Sequence, residues 1–335
     1  MSQVLNFAII GCGKIAPRHA ENIVRVGKLV AVCDILIEKA DHLALQYNAR
    51  AYNTVEELLK KEPGVEIVTV CTPNGLHSEH SIQSLKAGKH VLCEKPMCIT
   101  TADAAKMKKV ATEAGKNLFV VKQNRYNPPV VAIKELIDNN ILGKILSVQV
   151  NGFWNRDKKY FLNSWKGTKK LDGGILYTQF SHFIDLAYWL AGNIKTVKAI
   201  KKNLLLKDTI ETEDNCVVVA EFESGALGSF HFSINTFEKN MEGSITIIAE
   251  KGTVKIGGQY LNTLEYQRVA GIGPVKIDKG NISNDYGFYE GSMSNHNKVY
   301  ENLLIALKNP GHAFANVEDG MKTVEIIERI YASCI

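Results

Sequence analysis

Gly11-Cys12-Gly13-Lys14-Ile15-Ala16 directly follows the apolar run 4–10 and opens a stretch of helical periodicity. This G-x-G-x-x-A order suits a diphosphate. Gly11 permits a tight turn, Gly13 lets the backbone approach a pyrophosphate, and Ala16 lets a helix lie close on a strand. Behind that turn, Lys14 and Ile15 begin a helix whose first amides and positive dipole end face the anion. Asp34 ends the second apolar run, 21 residues after Gly13, near the offset at which an acid binds both ribose hydroxyls of a dinucleotide. A carboxylate there repels a 2'-phosphate, and Ile35 rather than an arginine follows it, so NAD is favoured over NADP.

Three further groups stand where chemistry is expected. Cys71-Thr72-Pro73-Asn74 and His77 follow the third apolar run, at the sheet edge where open parallel sheets bind ligands. Glu94-Lys95-Pro96 closes another run. Lys95 can serve as acid or base if burial or a neighbouring cation, such as His182, lowers its pKa. Asp172-Gly173-Gly174 leads through Thr178 and Gln179 to His182 and Asp185, which reads as one helix over 174–191. On it, Thr178, His182 and Asp185 share a face at i, i+4 and i+7. No metal site is expected, because His182, His231 and His296 lie apart from any cysteine pair.

These residues need elements to hold them. Strand-length runs at 4–10, 28–33, 66–71, 89–93 and 117–121 alternate with helical stretches at 15–26, 36–47, 54–60, 75–87 and 100–114, the pattern of a doubly wound parallel sheet. After a helix at 128–139 the period changes to two, with strands expected at 145–150, 195–202, 215–223, 226–234, 244–249 and 253–256. Helices are expected at 293–308 and 317–332. The fold class is therefore α/β: a Rossmann domain over 1–123, then an α+β domain over 124–335 built on a large, mostly antiparallel open sheet. The last helix of the chain is a candidate to pack back on the first domain.

Composition excludes several classes. With 335 residues, 45% hydrophobic, and 40 basic against 35 acidic side chains, the chain is globular and only mildly basic, without the dense basic and aromatic tracts of a nucleic-acid binder. The first apolar run is too short to span a membrane and lacks a charged start, so neither a membrane anchor nor export is expected. Seven scattered cysteines without a CxxC pair read as reduced thiols of a cytoplasmic protein.

Gly11-x-Gly13, Glu94-Lys95-Pro96, and Gly173-Gly174 followed by His182-x-x-Asp185 resemble, in order and spacing, the glucose-fructose oxidoreductase, inositol dehydrogenase and MocA family over nearly the whole chain. The resemblance implies a nicotinamide cofactor on the first domain and a second domain whose sheet shapes the sugar site and an oligomer interface, in a dimer or tetramer. It matches the family's motif lysine to Lys95 and its helix histidine to His182. It also assigns cofactor contacts to the glycine-rich turn, Asp34, the 71–74 loop, His77, Glu94, Lys95 and Gln123. Many members carry Asp and Gly where this chain has Thr178 and Phe180, so a carboxylate relay through position 178 is not expected here.

The stretches 123–128, 178–185 and 291–296 look most like the WlbA-type dehydrogenases. Those oxidise the 3-hydroxyl of UDP-N-acetylglucosaminuronic acid, a step toward polysaccharide and O-antigen sugars, and in some 2-oxoglutarate reoxidises the bound NADH. A uronate and a diphosphate need cations or polar donors, and Asn124, Arg125, Lys166, Ser294, Asn295 and His296 are the candidates, beside Lys95, Thr178, Gln179 and His182. Oxidation of a free cyclitol or monosaccharide is the alternative within the fold, and a non-catalytic dinucleotide-binding regulator the alternative outside enzymes.

Overall fold

The computed structural model describes residues 4–278, 280–285, 290–309 and 316–335, apart from the side chains at 285 and 290. They form two compact units: the described residues of 1–121 with those of 296–324, and the described residues of 122–295 with 325–335. The family-like reading of one continuous second domain and this division treat the segment 296–324 differently.

In the first unit the chain alternates strand and helix: β1 (Asn6–Ile10), α1 (Ala16–Val26), β2 (Lys28–Cys33), α2 (Ile37–Tyr47), β3 (Arg50–Tyr52), α3 (Val55–Lys61), β4 (Ile67–Val70), α4 (His77–Lys86), β5 (His90–Cys93), α5 (Thr101–Ala114) and β6 (Leu118–Val120). The six strands are parallel in the order β3-β2-β1-β4-β5-β6, the nucleotide-binding order with its switch point between β1 and β4. Phe7–Ile10 and the whole of β4 are buried, as strands covered on both faces require. Thr54 and Thr100 cap α3 and α5 by accepting the backbone N–H three residues on. Left-handed Gly115, φ +60°, ends α5.

The second unit begins with a short 3-10 turn at Gln123–Tyr126, followed by α6 (Pro128–Asp138), β7 (Ile145–Phe153), α7 (Lys158–Phe161), α8 (Ile175–Thr178), α9 (Ser181–Ala191), β8 (Ile194–Lys202), β9 (Asn215–Phe222), β10 (Leu227–Ser233), β11 (Glu242–Ala249), β12 (Gly252–Gly257), β13 (Thr263–Val269), β14 (Ser283–Asp285) and β15 (Glu290–Met293). Two helices complete the chain: α10 (His296–Lys308), in the first unit, and α11 (Val317–Ala332), whose last residues from 325 belong to the second. Seven strands form a mixed sheet ordered β13-β12-β11-β7-β10-β9-β8, with β7 and β10 its parallel neighbours and the other pairs antiparallel. Along β9 and β10 burial alternates residue by residue, so one face of the sheet is covered and the other open.

The covered face is aromatic. The Phe180 ring stacks on Phe232 with centroids 4.8 Å apart, and Trp154 meets Phe180 and Phe183 at 5.4 and 5.6 Å. Gly152 makes room for this, since a Cβ there would lie 2.5 Å from the Phe180 ring.

One local expectation is corrected. The helix expected over 174–191 is broken: α8 ends at Thr178 and α9 starts at Ser181, with Phe180 in a non-helical conformation, φ −111° and ψ 5°, and its ring sunk into the aromatic core. The face shared by Thr178, His182 and Asp185 on an uninterrupted helix therefore does not exist. Four strands also escaped the pattern, β3, β13 and the short β14 and β15. β3 has three residues, and β13 is an edge strand too polar on both faces to alternate.

Candidate functional site

In the first unit, Gly11 adopts φ +93°, and a Cβ there would lie 2.7 Å from the backbone of Cys71 and Thr72, so the turn after β1 touches the loop after β4 only because position 11 is glycine. Gly13 has open space where a Cβ would sit, and Lys14 beside it is exposed. Half-buried Ile15 heads α1 without a side-chain cap, and Ala16 is fully buried against the sheet. Asp34 Oδ2 accepts the Cys12 N–H at 2.8 Å and Oδ1 that of Leu36 at 2.9 Å, so the carboxylate sits beside the glycine-rich turn. Open space at Gly13, a helix start without a side-chain cap and an adjacent acid fit a dinucleotide's pyrophosphate and ribose.

Glu94, Lys95 and Pro96 follow β5, with a cis Lys95–Pro96 peptide. His77 ties this loop to the 71–74 loop: its Nδ1 lies 2.6 Å from the Pro96 carbonyl and its Nε2 2.7 Å from that of Thr72. Burial pushes the His77 pKa down, although both carbonyls favour the charged ring. Cys71 and Asn74 are buried, and Thr72 and Pro73 half-buried. Glu94 is the hub of a buried cluster. Its Oε2 accepts the Lys95 N–H at 3.0 Å, and its Oε1 meets His19 Nε2 at 2.9 Å and His296 Nε2 at 3.4 Å. His19 Nδ1 lies 2.9 Å from the Tyr300 hydroxyl, which reaches Thr69 at 3.2 Å. Burial alone would raise the Glu94 pKa, but the two histidines hold it well below the usual carboxylate range. These oxygen and nitrogen atoms stand at hydrogen-bond separations, and the carboxylate beneath Lys95 stays ionised.

In the second unit, Asp185 accepts three charged hydrogen bonds: from Lys122 Nζ at 2.7 Å, and from Arg125 Nε and Nη2 at 2.8 Å each. Arg125 is 1% exposed and stacks over the Trp189 ring at 5.1 Å. Burial disfavours the Asp185 charge, and the two cations overcome it, leaving its pKa far below the ordinary value. The ion cluster clamps the 123–126 turn onto α9, and Asp185 faces that turn. Gln123 thereby meets His182: its Nε2 lies 3.0 Å from His182 Nε2 and 3.1 Å from Ser292 Oγ. Asn124 is buried and its Oδ1 has no partner among the described residues.

A second polar group surrounds α8. Asp172 accepts the Thr178 hydroxyl at 2.5 Å and the Gly167 N–H at 2.7 Å, and burial raises its pKa against those bonds. Thr178, which replaces a carboxylate in the family pattern, thus has one directly behind it. Lys166 Nζ sits 4.1 Å above the Tyr160 ring and Arg156 lies 5.2 Å from the same ring. Burial pushes the Lys166 pKa down to about 8. Gln179 Nε2 donates to Tyr160 at 3.4 Å, while its buried Oε1 has no partner among the described residues.

The 294–296 run is divided. The Ser294 N–H bonds the Ile282 carbonyl at 3.0 Å, Asn295 Nδ2 bonds Asn127 Oδ1 at 2.7 Å, and His296 belongs to the Glu94 cluster of the other unit. Arg125, Asn295 and His296, expected at the substrate, are therefore buried and engaged within their own units.

The oxidoreductase family described as an NAD-binding Rossmann fold matches residues 5–122, and its C-terminal alpha/beta domain matches residues 134–335. The chain belongs to the glucose-fructose oxidoreductase, inositol dehydrogenase and MocA family. Within this oxidoreductase family it is similar to the glucose-6-phosphate 3-dehydrogenase of Bacillus subtilis, 32% identical over 64% of this chain and 61% of the relative, and to the myo-inositol 2-dehydrogenase of Thermotoga maritima, 30% identical over 67% of each. The matched stretch thus spans less than two thirds of the former's length. Among solved structures it is similar to WlbA dehydrogenases crystallised with NADH and UDP-GlcNAcA. The one from Bordetella pertussis has 31% identity, a TM-score of 0.88, and covers 99% of this chain and 96% of that one. The one from Chromobacterium violaceum has 32% identity, the same TM-score, and covers 99% and 94%. Among the described residues no helix is long and apolar enough to cross a membrane.

The family motifs led to Lys95 and His182 but not to the groups that hold them. His19, Tyr300 and Lys122 carry no motif. Arg156 and Tyr160 had only a weak signal, a cation and an aromatic near Trp154 in a segment without strand or helix periodicity.

Proposed function

We propose that this chain oxidises the 3-hydroxyl of a UDP-linked N-acetylated uronic acid, UDP-N-acetyl-2-amino-2-deoxyglucuronate, to the 3-keto sugar nucleotide, with NAD as cofactor. The observation that carries this reading is the likeness over 99% of the chain, at 31 and 32% identity, to two structures holding NADH and UDP-GlcNAcA. By contrast, the likeness to a levoglucosan dehydrogenase at 21% identity is one of fold alone.

Bound NAD supplies the hydride acceptor. In this reading the amides at Gly13, Lys14 and Ile15 bind its pyrophosphate and Asp34 its ribose hydroxyls, and the 71–74 loop, His77 and Glu94 shape the rest of its site. The hydroxyl proton is shared between Lys95 and His182, one removing it and the other hydrogen-bonding the developing ketone. Lys166 and Arg156 supply positive charge for the uronate or diphosphate, and an anion there would favour the charged form of Lys166. Thr178 and Gln179 lie beside them, Asn124 and Ser294 offer further polar contacts, and Arg125, Asn295 and His296 act as scaffold. The protein works in the cytoplasm as a dimer or tetramer, and 2-oxoglutarate is the candidate acceptor that regenerates NAD.

The test is NADH absorbance of the purified protein with NAD and UDP-N-acetylglucosaminuronic acid, with and without 2-oxoglutarate, beside myo-inositol, glucose and glucose 6-phosphate. A rise with the sugar nucleotide, or keto-sugar formed on adding 2-oxoglutarate, supports the reading. A response confined to glucose 6-phosphate or a free sugar moves the substrate to the second reading, which the 32% identical glucose-6-phosphate 3-dehydrogenase favours. Lys95→Met and His182→Asn each lower turnover by about 10²- to 10⁴-fold and leave NAD binding intact.

A further inference from the structure

His77 opens α4 and is buried, and both of its ring nitrogens face carbonyl oxygens, Nδ1 that of Pro96 at 2.6 Å and Nε2 that of Thr72 at 2.7 Å. A carbonyl oxygen can only accept, and a neutral imidazole has a single N–H to donate. Either neutral tautomer would therefore aim the lone pair of its other nitrogen at an oxygen no more than 2.7 Å away. Turning the ring over puts carbon where each nitrogen stands, far inside the separation of about 3.3–3.6 Å at which a C–H group meets an oxygen. The ring protonated on both nitrogens satisfies both oxygens at once.

We propose that His77 is held as an imidazolium that ties together two loops of the NAD site, and that NAD affinity depends on its second proton. The Thr72 carbonyl is fixed by His77 and the Thr72 hydroxyl stands 3.1 Å from His80 Nδ1, while the Thr72 backbone lies against Gly11 of the glycine-rich turn. On the other side of the ring, Pro96 follows Lys95 and Glu94, the hub of the buried cluster. One cation thus holds the 71–74 loop to the 94–96 loop. His77 acts through these loops, as a positioning residue. The inference rests on the placement of both loops at the cofactor in the reading above, and is the same whichever sugar is oxidised.

Burial opposes this charge and so does Lys95, whereas the two carbonyls and Glu94 favour it. The carbonyls decide, because giving up the proton forfeits one of the two hydrogen bonds and sets a nitrogen lone pair against an oxygen. A buried charge is tolerated when it is hydrogen-bonded and close to an opposite charge, and Glu94 is the ionised carboxylate of the same loop. The elements packed on α4 are α3, α5, β4, β5 and the 74–76 turn. β4 and the turn carry no titratable side chain, and β5 carries His90 at its start and Cys93 at its end. Burial keeps the thiols of Cys93 and Cys71 protonated. The charged residues of α3 and α5 are exposed or half-buried, and Glu79 of α4 is exposed. A charged His77 disfavours a second charge on His80, whose pKa burial already lowers.

The experiment is ¹⁵N NMR of the histidine rings in the protein with and without NAD, His77 being assigned through its own backbone so that no variant is required. Expected at neutral pH is a ring protonated on both nitrogens, which loses its second proton about one unit or more above the ordinary histidine value of about 6.5. NAD should raise that titration further. NAD affinity, measured by fluorescence without sugar, should be complete below it and fall by up to about tenfold per pH unit between the titrations of the free protein and the complex. His77→Gln, which has no second proton to lose, should bind NAD about tenfold more weakly at neutral pH and lose this slope. A neutral His77 ring in the wild type at neutral pH overturns the proposal, and so does an NAD affinity that ignores the titration of an imidazolium. A charged His77 with pH-dependent NAD binding, in a protein that oxidises none of the tested sugars, would overturn the substrate reading and leave this one standing.

Discussion

Replacing Asp185 by asparagine should leave two buried cations of the second unit without the carboxylate they share. Asp185 is 2% exposed, Arg125 1% and Lys122 4%, and the three charged hydrogen bonds between them run from 2.7 to 2.8 Å. The amide keeps the shape and removes the carboxylate that the two buried cations share. Breaking such a buried group by removing one partner costs about 3–5 kcal/mol, a drop of roughly two to four decades in the folding constant. The readout is selective, because all three tryptophans (Trp154, Trp165 and Trp189) lie in the second unit and Arg125 stacks on one of them. Denaturant titration followed by tryptophan fluorescence therefore reports this unit's unfolding. The triple variant Lys122→Met, Arg125→Met, Asp185→Leu should recover most of the loss, because apolar replacement of a whole buried ion cluster is often close to neutral. The sign with pH follows from the depressed Asp185 pKa: its contribution is complete above the unfolded carboxylate value, about 4, and is lost as pH falls from there toward the folded value. A loss below about 1 kcal/mol for Asp185→Asn, or a triple variant no better than the single, would refute the reasoning.

Asp34→Asn removes the charge that repels a 2'-phosphate while keeping one acceptor for the Cys12 and Leu36 amides, and should reduce the preference for NAD over NADP by about tenfold or more in fluorescence titrations of both cofactors. Gly152→Ala puts a methyl 2.5 Å from the Phe180 ring and should cost about 1–3 kcal/mol, read by the same tryptophan unfolding curve. Burial, reinforced by the Asp34 charge, pushes the Cys12 thiol up to about 12. At pH 8 its alkylation should run about a thousandfold slower than that of a free cysteine, so rapid labelling of Cys12 in the folded protein would contradict this half-buried setting beside Asp34.

The first unit was legible because its positional demands are local. Gly11, Gly13, Ala16 and Asp34 each answer a need of one turn or one strand end, and hydrophobic runs of strand length set the sheet. β3 was missed because three edge residues carry too little pattern. Glu94 was legible as a loop acid but not as a hub, since its partners His19 and His296 come from helices 75 residues before and 202 residues after it.

The second unit shows where a period-based reading fails. The face on which Thr178 and Asp185 would flank His182 assumed an unbroken helix, but burying the Phe180 ring between Trp154 and Phe232 takes residue 180 out of helical conformation. The broken helix leaves Thr178 to Asp172, and Asp185 to Lys122 and Arg125. His182 is then matched with Gln123, a residue 59 positions away that the sequence associated with the cofactor. Each of these pairings is a consequence of where one aromatic ring is buried, and packing of that kind leaves no periodic trace in the residues whose chemistry it arranges. The residue types of a site can thus be read from a motif, whereas their protonation and orientation are decided by neighbours that only the folded core brings together.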